Sequence, residues 1–253
     1  MCDVNKKRAI IFATHSIGGG VYIDLPPYLE ELKKHTDCLI YVCDGEDSNT
    51  WSGLVKQYAD VIISKKHGRY DFGSYQLGFW YLLEHPELYD SLEQIYFCND
   101  SVIYNSSVRM DKFFKQGENK DFYGLTWFAY GFRKIENSDG TFDYPWDKHP
   151  HIQSYLFAVS KKIADDKRFR DFIDSIKAEV QKADIVANYE IGMSELIASM
   201  GYELESFYPR MGSCDPIGYF LLNKSSYKHP RIFVKRNPRT SPITLEEDID
   251  FMP

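Results

Sequence analysis

The feature that most constrains this chain is an alternation that starts at once: short apolar runs, each ending in a polar cluster, separated by helix-like text. Ala9-Ile-Ile-Phe-Ala-Thr14 runs into His15-Ser-Ile-Gly-Gly-Gly20, the pattern of a buried strand ending in a glycine turn. A helix is expected over Pro27–Lys34, with Pro26-Pro27 at its start and Lys33, Lys34 and His35 in its last turn. Cys38-Leu-Ile-Tyr-Val-Cys43 reads as a second strand turning at Asp44-Gly45, and Val61-Ile-Ile63 as a third after a helical piece around Leu54 to Tyr58. A longer helix is predicted over Ser74–Leu83, stopped near His85-Pro86. Gln94-Ile-Tyr-Phe-Cys98 is the fourth strand and runs straight into Asn99-Asp100-Ser101. Strands spaced by helices predict an α/β fold with a mostly parallel sheet flanked by helices on both faces. Ligands of such sheets bind at the carboxyl ends of the strands, where the polar clusters at 15–20, 44–50, 65–73 and 99–105 fall.

The second half is less regular. Strands are expected over Phe122–Phe128 and Ile152–Val159, separated by a long polar loop through Asp147-Lys-His149. Helices are expected over Lys167–Lys182 and Glu190–Met200, the latter closed by Gly201, with short strands at Tyr202–Tyr208 and Ile232–Val234. No internal repeat or linker interrupts the text, so residues 1–253 are expected to form one domain, which a longer natural chain could contain. Lys and Arg number 30 against 37 Asp and Glu, a formal charge of -7, which argues against non-specific nucleic-acid binding. Aromatic residues make up 16% of the chain, enough to supply stacking platforms for sugars or bases as well as core. The five cysteines form no metal or redox pair, and three sit inside apolar strands as small hydrophobes. An odd cysteine count without a secretion signal predicts reduced thiols and a cytoplasmic setting. No window approaches the roughly 18 apolar residues of a membrane span. Peripheral association with the inner face of the cytoplasmic membrane is compatible with that.

Several stretches could carry chemistry, and each has a plainer structural reading. Gly18-Gly-Gly20 lets backbone approach a phosphate, or is a surface loop. Lys65, Lys66 and Arg69 place positive charge at the sheet's carboxyl edge, where a diphosphate could be neutralised. Asp71 could accept from sugar or ribose hydroxyls, and Gly73 would open a helix whose amides favour an anion; otherwise Asp71 is an ordinary helix cap. Asp100 is placed to hold a divalent cation against a diphosphate, or Asn99-Asp100-Ser101 is an Asx turn. His151 and Gln153 could project into a cleft from a strand's head. Glu190 could deprotonate a hydroxyl nucleophile, or could satisfy a helix dipole, with Glu195 as rival. Lys235 and Arg236 could close a phosphate site from the C-terminal side.

Their order is more telling. Tyr70-Asp-Phe-Gly-Ser-Tyr75, Cys98-Asn-Asp-Ser-Val102, Asp121-Phe-Tyr-Gly-Leu-Thr126, His151-Ile-Gln-Ser-Tyr155 and Tyr189-Glu-Ile-Gly192, closed by Phe233-Val-Lys-Arg-Asn237, resemble the rhamnan synthesis protein F family in sequence and spacing. The resemblance runs from about Ile10 to Asn237, and its specific blocks are Asp-Phe-Gly-Ser and Asn-Asp-Ser. It implies a GT-A-type (Rossmann-like) nucleotide-sugar-binding domain and a glycosyltransferase of bacterial cell-surface polysaccharide or O-antigen. Asn99, Asp100 and Ser101 would then stand at the Asp-X-Asp position, with Asp100 the carboxylate on a Mg or Mn ion or beside the diphosphate. Tyr70, Asp71 and Gly73 would line the donor site, His151 and Gln153 would face donor sugar or acceptor, and His229 would complete a metal site. Glu190 would be the catalytic base.

The resulting expectation is an inverting single displacement, with L-rhamnose moving from dTDP-L-rhamnose to a glycan or lipid-linked glycan. Lys65, Arg69, Lys235 and Arg236, or a cation at Asp100, would stabilise the leaving diphosphate. The alternatives are transfer of a hexose or furanose from another nucleotide sugar, and a non-catalytic glycan-binding module built on the aromatic surplus. A phosphate-handling hydrolase is more distant, because no nucleophile motif accompanies Asp100.

Overall fold

The computed structural model describes residues 7–15, 25–45, 53–105, 109–208 and the backbone of 233–235. Its centre is a seven-stranded sheet of β1 (Arg8–His15), β2 (Cys38–Asp44), β3 (Val61–Ser64), β4 (Gln94–Asn99), β5 (Phe122–Gly124), β6 (Leu156–Ser160) and β7 (Glu205–Ser206). The spatial order is β7-β5-β6-β4-β1-β2-β3. Pairs β3–β2, β2–β1, β1–β4 and β5–β7 are parallel, and only β6 runs against its neighbours β4 and β5. The expected α/β architecture, a mostly parallel sheet between helices, is the one observed.

β1 lies at the middle and is buried along both faces up to its last residue. Its residues alternate between two cores, as a pleated strand requires. Ala9, Ile11 and Ala13 join a cluster with Phe79, Leu82, Phe97 and Phe157, beneath α2 (Tyr70–Glu84) and α4 (Lys167–Asp174). Ile10 and Phe12 join the opposite cluster with Tyr28, Leu32, Tyr96 and Phe113, beneath α1 (Leu25–Lys33) and α3 (Asp111–Gly117). Much of the aromatic surplus is therefore core: Phe97 stacks on Phe157 with centroids 4.9 Å apart, and Phe12 on Tyr41 at 5.8 Å. Cys38, Cys43 and Cys98 are buried in strands, as expected of small hydrophobes. No helix among the described residues is long and apolar enough to cross a membrane.

Six local expectations need correction. The helix expected from Ser74 begins at Tyr70, because the buried Asp44 carboxylate takes the amides of His67 and Gly68 and folds the preceding loop tightly. The helix expected to reach Lys182 stops at Asp174, where the buried Gln76 amide donates to the carbonyls of Ile173, Asp174 and Ile176 in place of further helical amides. The strand expected over Ile152–Val159 is broken at 153–155, and the one expected over Phe122–Phe128 at 125–126. The polar loop between them is an antiparallel hairpin, with Phe128 facing His151, Phe132 facing Trp146 and Glu136 facing Phe142. Glu190 does not start a helix: it sits in a π-helical turn (Val186–Ile191) between α5 (Lys182–Ile185) and α6 (Gly192–Ser199).

The lone antiparallel strand matters most for function. Because β6 runs backwards, its entry rather than its exit lies at the carboxyl edge of the parallel strands. Residues 151–155 are thereby delivered to the edge where β1, β2 and β4 end.

Candidate functional site

At this edge the carboxylates of Asp100 and Glu190, from distant parts of the chain, both act on that of Asp71. Asp100 follows β4, and one of its oxygens accepts from the Thr14 hydroxyl at 2.5 Å. Thr14 is reachable because Ala13 pairs with Asn99 in the parallel ladder, placing the ends of β1 and β4 side by side. Asp71 lies in the first turn of α2 but caps nothing; the cap position is Arg69, which makes no side-chain capping bond. Its carboxylate instead accepts from the Asn99 amide at 2.8 Å. Burial, with the charges of Asp100 and Glu190 nearby, pushes the Asp71 carboxyl up to about 7, against the opposing pull of Lys182 and Asn99. A carboxyl poised there has room for a proton or a cation.

Asn99 is the hinge of this arrangement. Its amide nitrogen serves Asp71 while its oxygen accepts from the Ser101 amide (3.1 Å) and hydroxyl (2.5 Å). Asn99-Asp100-Ser101 thus forms the expected Asx turn, which sets the direction of Asp100.

Glu190 arrives from the other half of the chain. Its Oε2 accepts from the Ser154 amide at 2.7 Å and from the Ser154 hydroxyl, and its Oε1 lies 3.6 Å from His151 Nε2. The break at 153–155 thus has a cause, since the Ser154 N–H leaves the ladder to hold this carboxylate. The π turn has one extra residue per turn, which rotates Glu190 off the regular helical face; such bulges recur at functional sites. His151 is buried, and its Nδ1 must donate to the His149 carbonyl at 2.8 Å, leaving Nε2 to face Glu190. The ring nitrogen left over is thus directed at the Glu190 carboxylate. Gln153 accepts from the hydroxyls of Thr126 and Tyr155, each at 2.8 Å.

The basic loop divides by role. Lys65 and Lys66 are exposed at the rim. Arg69 gives one guanidinium N–H to Gln76, and its amide donates to His67 Nδ1 at 3.0 Å. His67 is consequently neutral, with Nε2 against Ser74 Oγ at 3.1 Å, and burial pushes it down to about 4. Gly73 makes room for this loop: a Cβ there would come within 2.4 Å of the Arg69 Cβ and 2.5 Å of the His67 ring. Tyr70 stands exposed at the mouth with φ +54°, a left-handed backbone uncommon for a bulky residue and typical of functional segments. Glu195, the rival to Glu190, is engaged elsewhere, by Arg133 at 2.5 Å and His149 at 3.1 Å. Arg236, His229 and Gly18-Gly-Gly20 lie outside the described residues, as does the side chain of Lys235.

Thr14, Ser154 and Lys182 belong to this site although the sequence reading singled out none of them. Thr14 ends the first strand run and Ser154 sits inside His151-Ile-Gln-Ser-Tyr155, so position in the text was the available signal; Lys182 had none. A cleft of about 540 Å³ opens at the opposite edge of the sheet, among Arg8, Gln94, Glu118, Lys120 and Lys161. Its cations are already matched, Arg8 by Glu118 at 3.0 Å and Lys120 by Glu205 at 2.6 Å. It shares no residue with the carboxylate site.

The family pattern described as rhamnan synthesis protein F matches residues 39–238. The chain belongs to that family. The matched span carries all of the site just described except Thr14. Among curated proteins, the uncharacterized protein y4gN of Sinorhizobium fredii is 26% identical over 158 residues, 61% of this chain and 36% of its own length. This family member thus spans only about a third of that relative. Among solved structures, a 4-diphosphocytidyl-2C-methyl-D-erythritol synthase superposes with a TM-score of 0.46 at 13% identity, covering 85% of this chain and 97% of the other. The Anaerococcus prevotii enzyme of the same name gives 0.44 at 14% identity, covering 82% and 90%. The architecture of the family member rests on its own strand order and direction.

Proposed function

We propose that this protein is a glycosyltransferase that moves a sugar, L-rhamnose from dTDP-L-rhamnose, onto a growing bacterial cell-surface polysaccharide or O-antigen by an inverting single displacement. What supports this reading is the meeting of Asp71, Asp100 and Glu190 at the carboxyl edge of a mostly parallel sheet in a rhamnan synthesis protein F family member. Glu190, held by Ser154 through one oxygen, takes the acceptor hydroxyl proton as that hydroxyl attacks the anomeric carbon. His151, behind its other oxygen, can hold or pass on that proton. Tyr70 and Asp71 line the donor side, and Lys65, Arg69, Lys235 and Arg236 offer charge to the departing diphosphate.

A divalent cation, Mg or Mn, fits the carboxylates present. Asp71 is half-buried beside two other negative charges, an arrangement that a bound cation would relieve. Among the described residues no three His, Cys, Asp or Glu side chains gather as a metal-ligand group, so Asp100 and Asp71 would hold the ion together with the diphosphate. Such an ion would supply charge neutralisation for the leaving group. The protein would work at the inner face of the cytoplasmic membrane, on a glycan or lipid-linked glycan.

A thermal-shift panel of nucleotide sugars with and without Mn²⁺ or Mg²⁺ tests the donor and the ion together. Glu190→Gln is expected to keep the donor-induced shift and lose transfer. Near-wild-type turnover in that variant would overturn the assignment of Glu190, and a panel in which no nucleotide sugar shifts the melting temperature would overturn the transferase reading.

A further inference from the structure

We infer that the outer face of the hairpin between residues 127 and 152 is a saccharide subsite, with the indole of Trp146 as the platform for one sugar ring of the acceptor. The inference rests on the transferase reading only for the word acceptor; the platform itself is argued from the hairpin.

Five large apolar side chains are exposed among the described residues, and three of them, Ile135, Phe142 and Trp146, stand on this hairpin. Trp146 is the most exposed aromatic of them, at 61%. Its ring is nevertheless fixed in place. It lies across the ladder from Phe132, with centroids 6.2 Å apart, and 6.1 Å from Phe128. One side of the indole is braced by phenyl rings and the rest is open to solvent.

The hairpin that carries it is clamped to the helical segment bearing Glu190. Arg133 and His149 both hold Glu195, and Lys134 and Tyr144 both hold Asp184. Gly131 lies so close to that segment that a Cβ would come within 2.5 Å of the Ile191 side chain. A platform so held loses little freedom on binding, which favours affinity. It is also continuous with the chemistry. The Phe128 ring meets His151 edge-on at 5.8 Å, and His151 Nε2 faces Glu190.

The chemistry of the patch selects its occupant. An aromatic face takes the C–H face of a pyranose. Phe142 carries the Lys134 ammonium on its ring, 3.9 Å from the centroid, which leaves the Trp146 indole and Ile135 as the main open apolar surface. That is far below the roughly 800 Å² per partner of a stable protein interface. Between Gly131 and His149 the acids Glu136, Asp139, Asp143 and Asp147 outnumber the bases Arg133, Lys134 and Lys148, which gives an anionic membrane surface no electrostatic purchase.

The test titrates an L-rhamnose tetrasaccharide, with maltotetraose beside it, into the full chain, read by saturation-transfer NMR and tryptophan fluorescence. Wild type is expected to bind one of the two, Trp146→Ala to weaken that binding at least about tenfold, and Trp146→Phe to weaken it less. The dTDP-L-rhamnose thermal shift, measured in parallel, should be the same in Trp146→Ala as in wild type, which also certifies folding. Equal saccharide binding in Trp146→Ala, or none in wild type at millimolar concentration, overturns the inference. So does loss, in that variant, of a wild-type dimer by sedimentation or of binding to phosphatidylserine vesicles without any change in saccharide binding. Trp146-dependent saccharide binding with no nucleotide-sugar shift keeps the platform and removes the transferase. A donor shift and transfer whose acceptor KM ignores Trp146 does the reverse.

Discussion

At the scale of single residues, the site is set by where protons and charges can go. Asp71 has a folded-state value of about 7, above that of an ordinary carboxylate. Between about pH 4 and about pH 7 the folded protein therefore retains a proton that the unfolded chain has lost, and stability falls as pH rises through that window. Asp71→Asn removes the burden, so its melting temperature should fall less than that of wild type between about pH 5 and about pH 8. Parallel melting curves across that range would refute the buried-charge account. Ser154→Ala deletes the hydroxyl that orients Glu190 and spares the amide. On the proposed mechanism turnover should drop about tenfold with donor KM unchanged, and Ser154→Thr should recover part of the loss. A matched rise in KM instead would mean that Ser154 binds substrate.

At the scale of elements, the strands were readable and the irregular pieces that carry the site were less so. Val, Ile, Leu, Tyr and Phe runs announce β1, β2 and β4 because strands buried on both faces leave no polar position to confuse the text. Asp71, Asn99, Asp100, His151 and Glu190 were picked out by the order of the motifs, and of them Asn99, Asp100 and His151 lie where a strand that the text marks ends or begins. What escaped was tertiary in origin. The start of α2 depends on Asp44, the end of α4 on Gln76, and the π turn on a partner, Ser154, that lies 36 residues away from Glu190. The hairpin escaped for a different reason: its rungs are two residues each, too short for alternation to register. Gly73 tests one of these tertiary dependences. Gly73→Ala crowds Arg69 and His67 and should cost about 1–3 kcal/mol in urea unfolding. An unchanged midpoint would show that the loop yields freely.

At the scale of the whole molecule, the sheet joins two cores, one on each face, through strands whose alternate residues belong to both. Damage to either core should therefore be felt by the whole. Phe157→Ala, which removes a ring stacked on Phe97 and edge-on to Tyr75, is expected to lower stability by about 3–5 kcal/mol. Near-ultraviolet and far-ultraviolet circular dichroism should still report one coincident transition; two separated midpoints would show that the faces melt independently.

The reversed strand β6 has a consequence for inheritance. Up to about residue 104 the chain contributes Thr14, Asp71 and Asp100; only after Asp121 does it build the hairpin, the Ser154 break and Glu190. On the proposed reading, the carboxylates of the donor side and the residues of the acceptor side are consecutive blocks of one gene, meeting at one edge because a single strand turns back, while Lys235 and Arg236 bring the chain back to the diphosphate. A crossover in the segment between them would exchange the glycan served while leaving the nucleotide sugar as it was.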